Sequence, residues 1–221
     1  MRVTRTTGAE TFDSASEEVA AEIRHWIGSR RIRPGDPLAI AHVASELGVS
    51  LQPVREAFRV LELEGRLHKA NNRVATVREL SKTELENIYK LRDLIEDEAI
   101  KNSLGRFLGS DIAELQELAD AFDAAVSAGD IDSARSANRG FFSVLRRRNP
   151  LRRLAEMTTS LRALSAPYRS QLLTNPESWP VLIRLHRDVV EAIKSGEHAA
   201  AITAARQMRT LTLEAFSDQD L

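Results

Sequence analysis

The chain contains no cysteine. That removes disulfides, thiolate metal sites and cysteine nucleophiles together, and it fits a cytoplasmic protein. Long apolar runs are missing too: nothing approaches the ~20 residues of a membrane-spanning helix. No apolar core follows the N-terminal arginines, so no signal peptide is read there. Glycine is scarce, 10 residues in 221, and falls mostly at turns, with no glycine-rich phosphate loop. His25, His42, His68, His186 and His198 are scattered. No Ser/His/Asp grouping or paired-histidine motif accompanies them, so the sequence gives no support to an enzyme. An excess of charge is also lacking. The formal net charge is −1, and residues 1–80 carry 12 Lys and Arg against 11 Asp and Glu. A nucleic-acid binder ordinarily shows a basic excess. If this chain binds DNA, the binding surface must be locally basic and the acids segregated elsewhere.

What is present is enough apolar content, 43%, for real cores. Disorder of the bulk is excluded, and the length suits two modest domains. The most informative stretch runs from Pro34 to Val77. Ile40 to Leu47 predicts one short helix and Leu51 to Glu64 a second, separated by Gly48-Val49-Ser50. Ser50 is placed to cap the second helix, and Pro53 fits its first turn, where a missing N–H costs nothing. Val54, Ala57, Phe58 and Leu61 form one apolar face. Gln52, Arg55 and Arg59 fall on the other, where Arg suits guanine O6/N7 and Gln suits adenine N6/N7. Leu67-His68-Lys69 and Val74 to Val77 read as two strands of a hairpin, with Lys69 and Arg73 as phosphate or minor-groove contacts and an Asn-rich tip between them. Ahead of this unit, Ser14-Ala15-Ser16-Glu17 reads as a capping box. Val19, Ile23, Trp26 and Ile27 continue at helical spacing, leaving residues 1–13 as a mobile arm. Residues 14–78 thus outline a winged helix-turn-helix.

Residues 79–221 read as helical throughout, opened by a second capping box at Ser81-Lys82-Thr83-Glu84. Ile88, Leu91, Leu94, Ile95 and Ala99 mark one helix, and Leu115, Leu118, Ala119, Phe122 and Ala125 the next. Ile131 to Arg147 is a third, with acids at its start and arginines at its end as the helix dipole favours. Pro150 starts another, which Pro167 bends or ends. Pro176 or Glu177 begins a helix through Val181, Leu185, Val189 and Ile193, and Gly196 separates it from a last helix through Ile202, Met208 and Leu211. The fold class expected is mostly α: a winged helix-turn-helix with a short β-hairpin, then an antiparallel all-α bundle. The run Arg146-Arg147-Arg148 with Arg152-Arg153 reads as a helix end complementing the dipole, with an anion clamp as its sharper alternative.

Pro34-Gly35, Leu47-Gly48-Val49-Ser50, Pro53-Val54-Arg55-Glu56-Ala57 and Glu64-Gly65 together resemble the N-terminal domain of GntR-type bacterial transcription regulators. The helical remainder resembles the FCD effector domain of the FadR subfamily. The resemblance implies a homodimeric regulator on a pseudo-palindromic double-stranded operator, controlled by a small-molecule effector. It implies DNA contacts at Ser50, Leu51, Gln52, Arg55, Arg59, Lys69 and Arg73. Regulators of this type usually carry Arg, Arg and Gly where this chain has Ala41, Leu51 and Val74. FCD domains commonly hold a metal through an Asp and three His. Here those positions correspond to Asn138, Phe142, His186 and Met208. Only His186 is a good donor, so no metal and no cofactor are expected. The four positions are expected instead to form an apolar effector pocket edged by Asn138 and His186. The near-zero charge and the missing arginines motivate an alternative, a helical protein-interaction module whose degenerate winged domain no longer binds DNA.

Overall fold

The computed structural model describes residues 9–69 and 73–215. The expected Asn-rich tip at 70–72 lies outside the described residues. So do the Lys69 side chain and residues 1–8 of the expected arm. The chain divides into two compact units, residues 1–80 and residues 81–221.

In the first unit, helix α1 spans Ala9–Gly28, α2 spans Ile40–Leu47 and α3 spans Leu51–Leu63. The first helix starts ahead of the Ser14 boundary that the capping-box pattern predicts. No proline or glycine lies between Ala9 and Ile27 to stop it, and a Ser-x-x-Glu spacing is equally compatible with a helix interior. Strands β1 (Pro37–Ala39), β2 (Leu67–Lys69) and β3 (Val74–Val77) form an antiparallel sheet in the order β1-β3-β2. The hairpin is therefore joined by a third strand that the sequence did not announce. Three residues headed by a proline show no period; Pro37 has no N–H to give and is tolerated because β1 is an edge. Leu38 pairs with Ala75, and His68 with Thr76.

Ile23, Trp26, Val43, Val54, Ala57 and Leu61 are all withdrawn from water in one core under the sheet. Burial of each larger aliphatic here contributes about 1.5–3 kcal/mol. Gly48 closes α2 in the left-handed region (φ 66°, ψ 29°), a conformation that costs an L side chain energy and glycine nothing. A charged clamp ties α1 to the end of α3. Arg24 reaches Glu64 at 2.5 and 3.1 Å and Glu17 at 2.7 Å, and Arg66 meets Glu64 at 2.9 Å. Burial pushes the Glu64 carboxyl up, but the hydrogen bonds and charges of Arg24 and Arg66 outweigh it and hold the group below the usual carboxylate range.

The second unit consists of α4 (Lys82–Leu104), α5 (Gly109–Ser127), α6 (Ile131–Arg147), α7 (Arg152–Leu164), α8 (Ala166–Leu172), α9 (Trp179–Lys194) and α10 (His198–Glu214). A 3-10 turn at Pro176–Ser178 precedes α9. The Ser81–Glu84 capping box closes both ways, with Ser81 Oγ accepting from the Glu84 N–H and Glu84 Oε2 accepting from the Ser81 N–H. Asp130 caps α6 by accepting from the Ser133 N–H at 3.0 Å. The break before α8 falls at Ser165, and Pro167 sits in the first turn of α8, where it fits. Leu115, Phe122, Phe141, Leu145 and Val189 fill the bundle core between α5, α6 and α9.

Helix α4 turns a different face inward from the one its apolar stripe predicts. Leu91 and Leu94 remain 49% and 72% exposed. The buried face carries Leu85, Tyr89, Arg92, Glu96, Ala99 and Ser103. A buried charge is tolerable only when paired, and Arg92 Nε meets Glu96 Oε1 at 2.6 Å one turn further along the same helix.

Candidate functional site

The outward face of α3 presents Leu51, Gln52, Arg55 and Arg59 to solvent, while Pro53, Val54, Ala57, Phe58 and Leu61 face the core. Ser50 stands at the N-cap position with extended backbone (φ −73°, ψ 166°), but its side chain makes no capping hydrogen bond, contrary to expectation. Its hydroxyl is exposed at the entry to the helix. Glu56 holds its neighbours: Gln52 Nε2 donates to it at 3.1 Å and Arg59 Nη1 at 3.0 Å. Arg55 is exposed and has no hydrogen bond or ion pair among the described residues. Several acids of this unit are taken up internally. Glu17 and Glu64 hold Arg24, Glu46 holds Arg31, and Glu22 accepts from the Trp26 indole at 2.6 Å. A unit with a charge near zero can thus present an unneutralised guanidinium on α3. Ala41 is exposed on α2, Leu51 is 47% exposed at the start of α3, Val74 is half-buried in β3, and Arg73 is exposed at the start of that strand.

In the second unit, three of the four predicted pocket residues, Asn138, Phe142 and Met208, line one internal cavity. The fourth, His186, lies behind it, 1% exposed. Its ring stacks on Phe122 (centroids 4.4 Å apart) and meets Phe141 edge-on (4.6 Å). Burial lowers its pKa to about 4, partly opposed by a hydrogen bond to the Leu182 carbonyl, so the imidazole is neutral at physiological pH. Nδ1 lies 2.7 Å from that carbonyl and must be the protonated nitrogen. Nε2 lies 3.2 Å from Asn138 Oδ1 and, carrying no proton, accepts only when the Asn138 amide turns its NH₂ group toward it. His186 thereby positions Asn138 at the cavity wall. These residues do not fit a metal: a neutral amide, a phenyl ring and a thioether accompany one imidazole already engaged at both nitrogens. Among the described residues, no group of three or more His, Asp or Glu gathers closely enough to hold an ion.

The cavity is not the apolar chamber that the sequence predicts. Arg92, Arg162, Arg169 and Arg209 line it alongside Leu172, Leu173, Leu182 and Thr212. Glu96, at 0% exposure, takes Arg92 on one oxygen and Arg162 on the other at 2.9 Å, with Arg146 at 3.7 Å. Burial pushes the Glu96 carboxyl up, but the surrounding arginines, Arg92 foremost, hold it far below the usual range. The apolar periodicity of these helices does not mark Arg92, Arg162, Arg169 and Arg209. The available signal was an Arg and a Glu one turn apart in the same 4,3,4,3 register as Leu85, Tyr89, Ala99 and Ser103. The basic run at the end of α6 is taken up by carboxylates of α4, α5 and α7. Arg147 pairs with Glu114 at 2.5 and 2.6 Å, Arg148 with Asp111 at 3.0 Å, and Arg152 and Arg153 with Glu156 at 2.9 Å. Arg146 alone of the run is paired with Glu96.

Comparison with known proteins agrees with this division. Residues 15–77 match the bacterial regulatory proteins of the gntR family, and residues 87–210 match the FCD domain. The chain is 30% identical over 155 residues to the HTH-type transcriptional regulator McbR of Escherichia coli K12, covering 70% of each. It is 23% identical over 181 residues to the HTH-type transcriptional regulator YdhC of Bacillus subtilis, covering 81% of each. The solved structure of E. coli McbR superposes with a TM-score of 0.82 at 26% identity, covering 89% of this chain and 93% of that one. A GntR chain from Rhodococcus sp. RHA1 shares the fold, with a TM-score of 0.75 at 22% identity over 92% of this chain and all of that one.

Proposed function

This chain belongs to the gntR family of bacterial regulatory proteins and carries an FCD domain, and from that premise we propose that it is a sequence-specific, dimeric DNA-binding regulator whose operator affinity is set by a small molecule bound in the α4–α10 bundle. It is a regulator rather than an enzyme, and it acts on double-stranded DNA in the cytoplasm. The observation that carries the reading is α3, with one face locked into the core and the other presenting an unpaired Arg55 between two side chains tethered to Glu56.

In this reading α3 enters the major groove. Arg55 reads a guanine in bidentate fashion, and Gln52 reads an adenine after letting go of Glu56. Leu51 offers an apolar contact to a thymine methyl, in place of the arginine that relatives of the FadR type carry there. Ser50, Arg59, Arg73 and Lys69 serve phosphates and fix the register. One such helix reads too few base pairs for useful specificity, so two copies bind a pseudo-palindromic site. The outer face of α4, with Leu91 and Leu94 exposed beside half-buried Ile88 and Ile95, is the surface that a second copy covers. Lys90, Asp93, Asp97, Glu98, Lys101 and Arg206 line an open groove of about 600 Å³ along α4 and α10, a mixed-charge rim suited to a self-complementary contact. The effector occupies the cavity at Asn138, Phe142 and Met208, with His186 fixing the wall.

The test is Arg55→Ala. Because Arg55 is exposed and makes no side-chain hydrogen bond or ion pair among the described residues, its loss leaves the melting temperature unchanged. Operator affinity falls by ~1–3 kcal/mol per half-site, and discrimination at one base pair per half-site relaxes. Gel shifts on the region upstream of the chain's own gene, run at several salt concentrations, measure both. An Arg55→Ala protein that binds the operator as wild type does would refute α3 as the reading helix. A wild-type protein with no salt-dependent DNA binding would favour the protein-interaction alternative.

A further inference from the structure

Between Leu51 and Arg59, α3 carries a single acid, Glu56. It stands one turn from Gln52 on one side and from Arg59 on the other, and next to Arg55. Its side chain is 41% exposed. Oε1 accepts from Gln52 Nε2 at 3.1 Å and from Arg59 Nη1 at 3.0 Å, and Oε2 takes only the second branch of the Arg59 contact, at 3.2 Å. A carboxylate offers about four acceptor positions, so Oε2 has capacity left. Arg59 uses Nη1 alone for these contacts. An acid is badly placed here if it only staples the helix. A duplex brings phosphates to both sides of a helix lying in its major groove, and an uncompensated carboxylate there weakens binding to every sequence. Exposed pairs at this spacing contribute little to stability, so they do not offset that loss. What Glu56 can do on this face, and its charged neighbours cannot, is accept from the exocyclic amine of cytosine. Arg55 and Arg59 only donate.

We propose that Glu56 is a specificity-determining residue that reads a cytosine N4 amine with Oε2, and that Arg59 is its positioning residue. This contact rests on the α3 reading above and adds to it a base contact of opposite polarity. Successive side chains on a helix point about 100° apart, so Glu56 and Arg55 address different base pairs. The cytosine lies in a pair adjoining the guanine of Arg55. Arg59 acts twice. Nη1 fixes the carboxylate, while Nε and Nη2 remain to meet a phosphate, so the guanidinium stands between two anions that would otherwise repel. Gln52 can leave Oε1 for its adenine without freeing Glu56, because Arg59 still holds both oxygens. The carboxylate also rejects. Guanine and thymine present acceptors in the major groove, and adenine sets an acceptor N7 beside its amine; an acceptor facing an anion penalises the wrong base.

The experiment titrates the full chain, by fluorescence anisotropy at several salt concentrations, against the duplex from upstream of its own gene. Further duplexes carry each of the other bases at every half-site position. Wild type should show, beside the guanine preference lost in Arg55→Ala, one position where cytosine binds at least about fivefold tighter than any other base. Glu56→Gln should flatten that position alone, mainly by tightening the wrong bases, and keep the guanine preference. Glu56→Asp, which keeps the charge on a shorter arm, should flatten it too and serves if Glu56→Gln fails to fold. Arg59→Gln should flatten the same position and lower the salt slope by about one, whereas Arg73→Gln should lower the slope and spare the cytosine. A Glu56→Gln chain that shifts all duplexes by one factor makes Glu56 a helix staple and overturns the proposal. So does a flattened position that prefers a base other than cytosine, and a cytosine preference untouched by Arg59→Gln overturns the positioning role. Binding that relaxes with Arg55→Ala but nowhere with Glu56→Gln sinks this contact alone. A wild-type chain that binds no duplex in a salt-dependent way sinks the α3 reading with it.

Discussion

Replacing Glu96 by Gln removes one charge and almost no volume from the most enclosed ion cluster of the chain. In the wild-type protein the carboxylate, fully buried, accepts from Arg92 at 2.6 Å and Arg162 at 2.9 Å, with Arg146 nearby at 3.7 Å. The amide keeps one acceptor oxygen and turns an NH₂ group toward a guanidinium that can only donate. Two arginines then stay in the interior without their counter-charge. Removing one partner of a buried ion pair costs about 3–5 kcal/mol, more than the pair itself contributes over an apolar replacement. For a unit of residues 81–221, each kcal/mol corresponds to roughly 3–4 °C in melting temperature, so the expected fall is roughly 9–20 °C. Differential scanning calorimetry of the full chain measures it, and the transition of residues 1–80 serves as the internal reference. The effect depends on pH with a definite sign. A carboxyl whose folded pKa is depressed contributes stability that is fully present above its unfolded value, near 4.5, and is lost as pH falls below that. The gap between wild type and Glu96→Gln must therefore narrow in acid. A variant that melts within 2 °C of wild type at pH 7, or a gap that widens below pH 4, would refute the claim that the carboxylate compensates these arginines.

His186 loses stability in the same direction for the opposite reason, because the fold disfavours its charged form. Its folded pKa, about 4, lies below the unfolded value of 6.5, so stability is full above pH 6.5 and falls as the unfolded chain takes up a proton, by on the order of 2 kcal/mol at pH 5; urea melts at pH 7.5 and 5 should show this, and His186→Gln should abolish the slope. Gly48→Ala should destabilise the first unit by about 1–2 kcal/mol, since a Cβ meets no neighbour there and the whole cost is the left-handed backbone; a neutral chemical denaturation curve would count against it. Leu91→Glu with Leu94→Glu should yield a folded monomer by light scattering at micromolar concentration and weaken operator binding, whereas an unchanged dimer would move the interface off α4. Elemental analysis should find well under one zinc, nickel or manganese per chain, and a chelator should alter neither melting nor DNA binding; stoichiometric metal would overturn the reading of Asn138, Phe142 and Met208 as non-ligands.

The sequence alone determined most of the architecture, because its signals there are local. The capping box at Ser81–Glu84, the aspartate cap of α6 and Gly48 between α2 and α3 each act within one turn of chain. The apolar periodicity of α3 fixed which side of that helix is buried and so which side could meet DNA. Periodicity failed where burial was not apolar. On α4 the stripe of Ile88, Leu91 and Leu94 marked the outward side, since Arg92 and Glu96 neutralise each other and can be buried together. Strand β1 was invisible because three residues acquire their pairing only from β3, distant in sequence. The cavity at Asn138, Phe142 and Met208 was placed by resemblance, but its character was not. Arg162, Arg169 and Arg209 come from α7, α8 and α10 and acquire meaning only when packing sets them around one carboxylate. A local signal is written in neighbouring residues, whereas the charge of an enclosed space is a sum over elements far apart in the chain, and only the tertiary structure performs it.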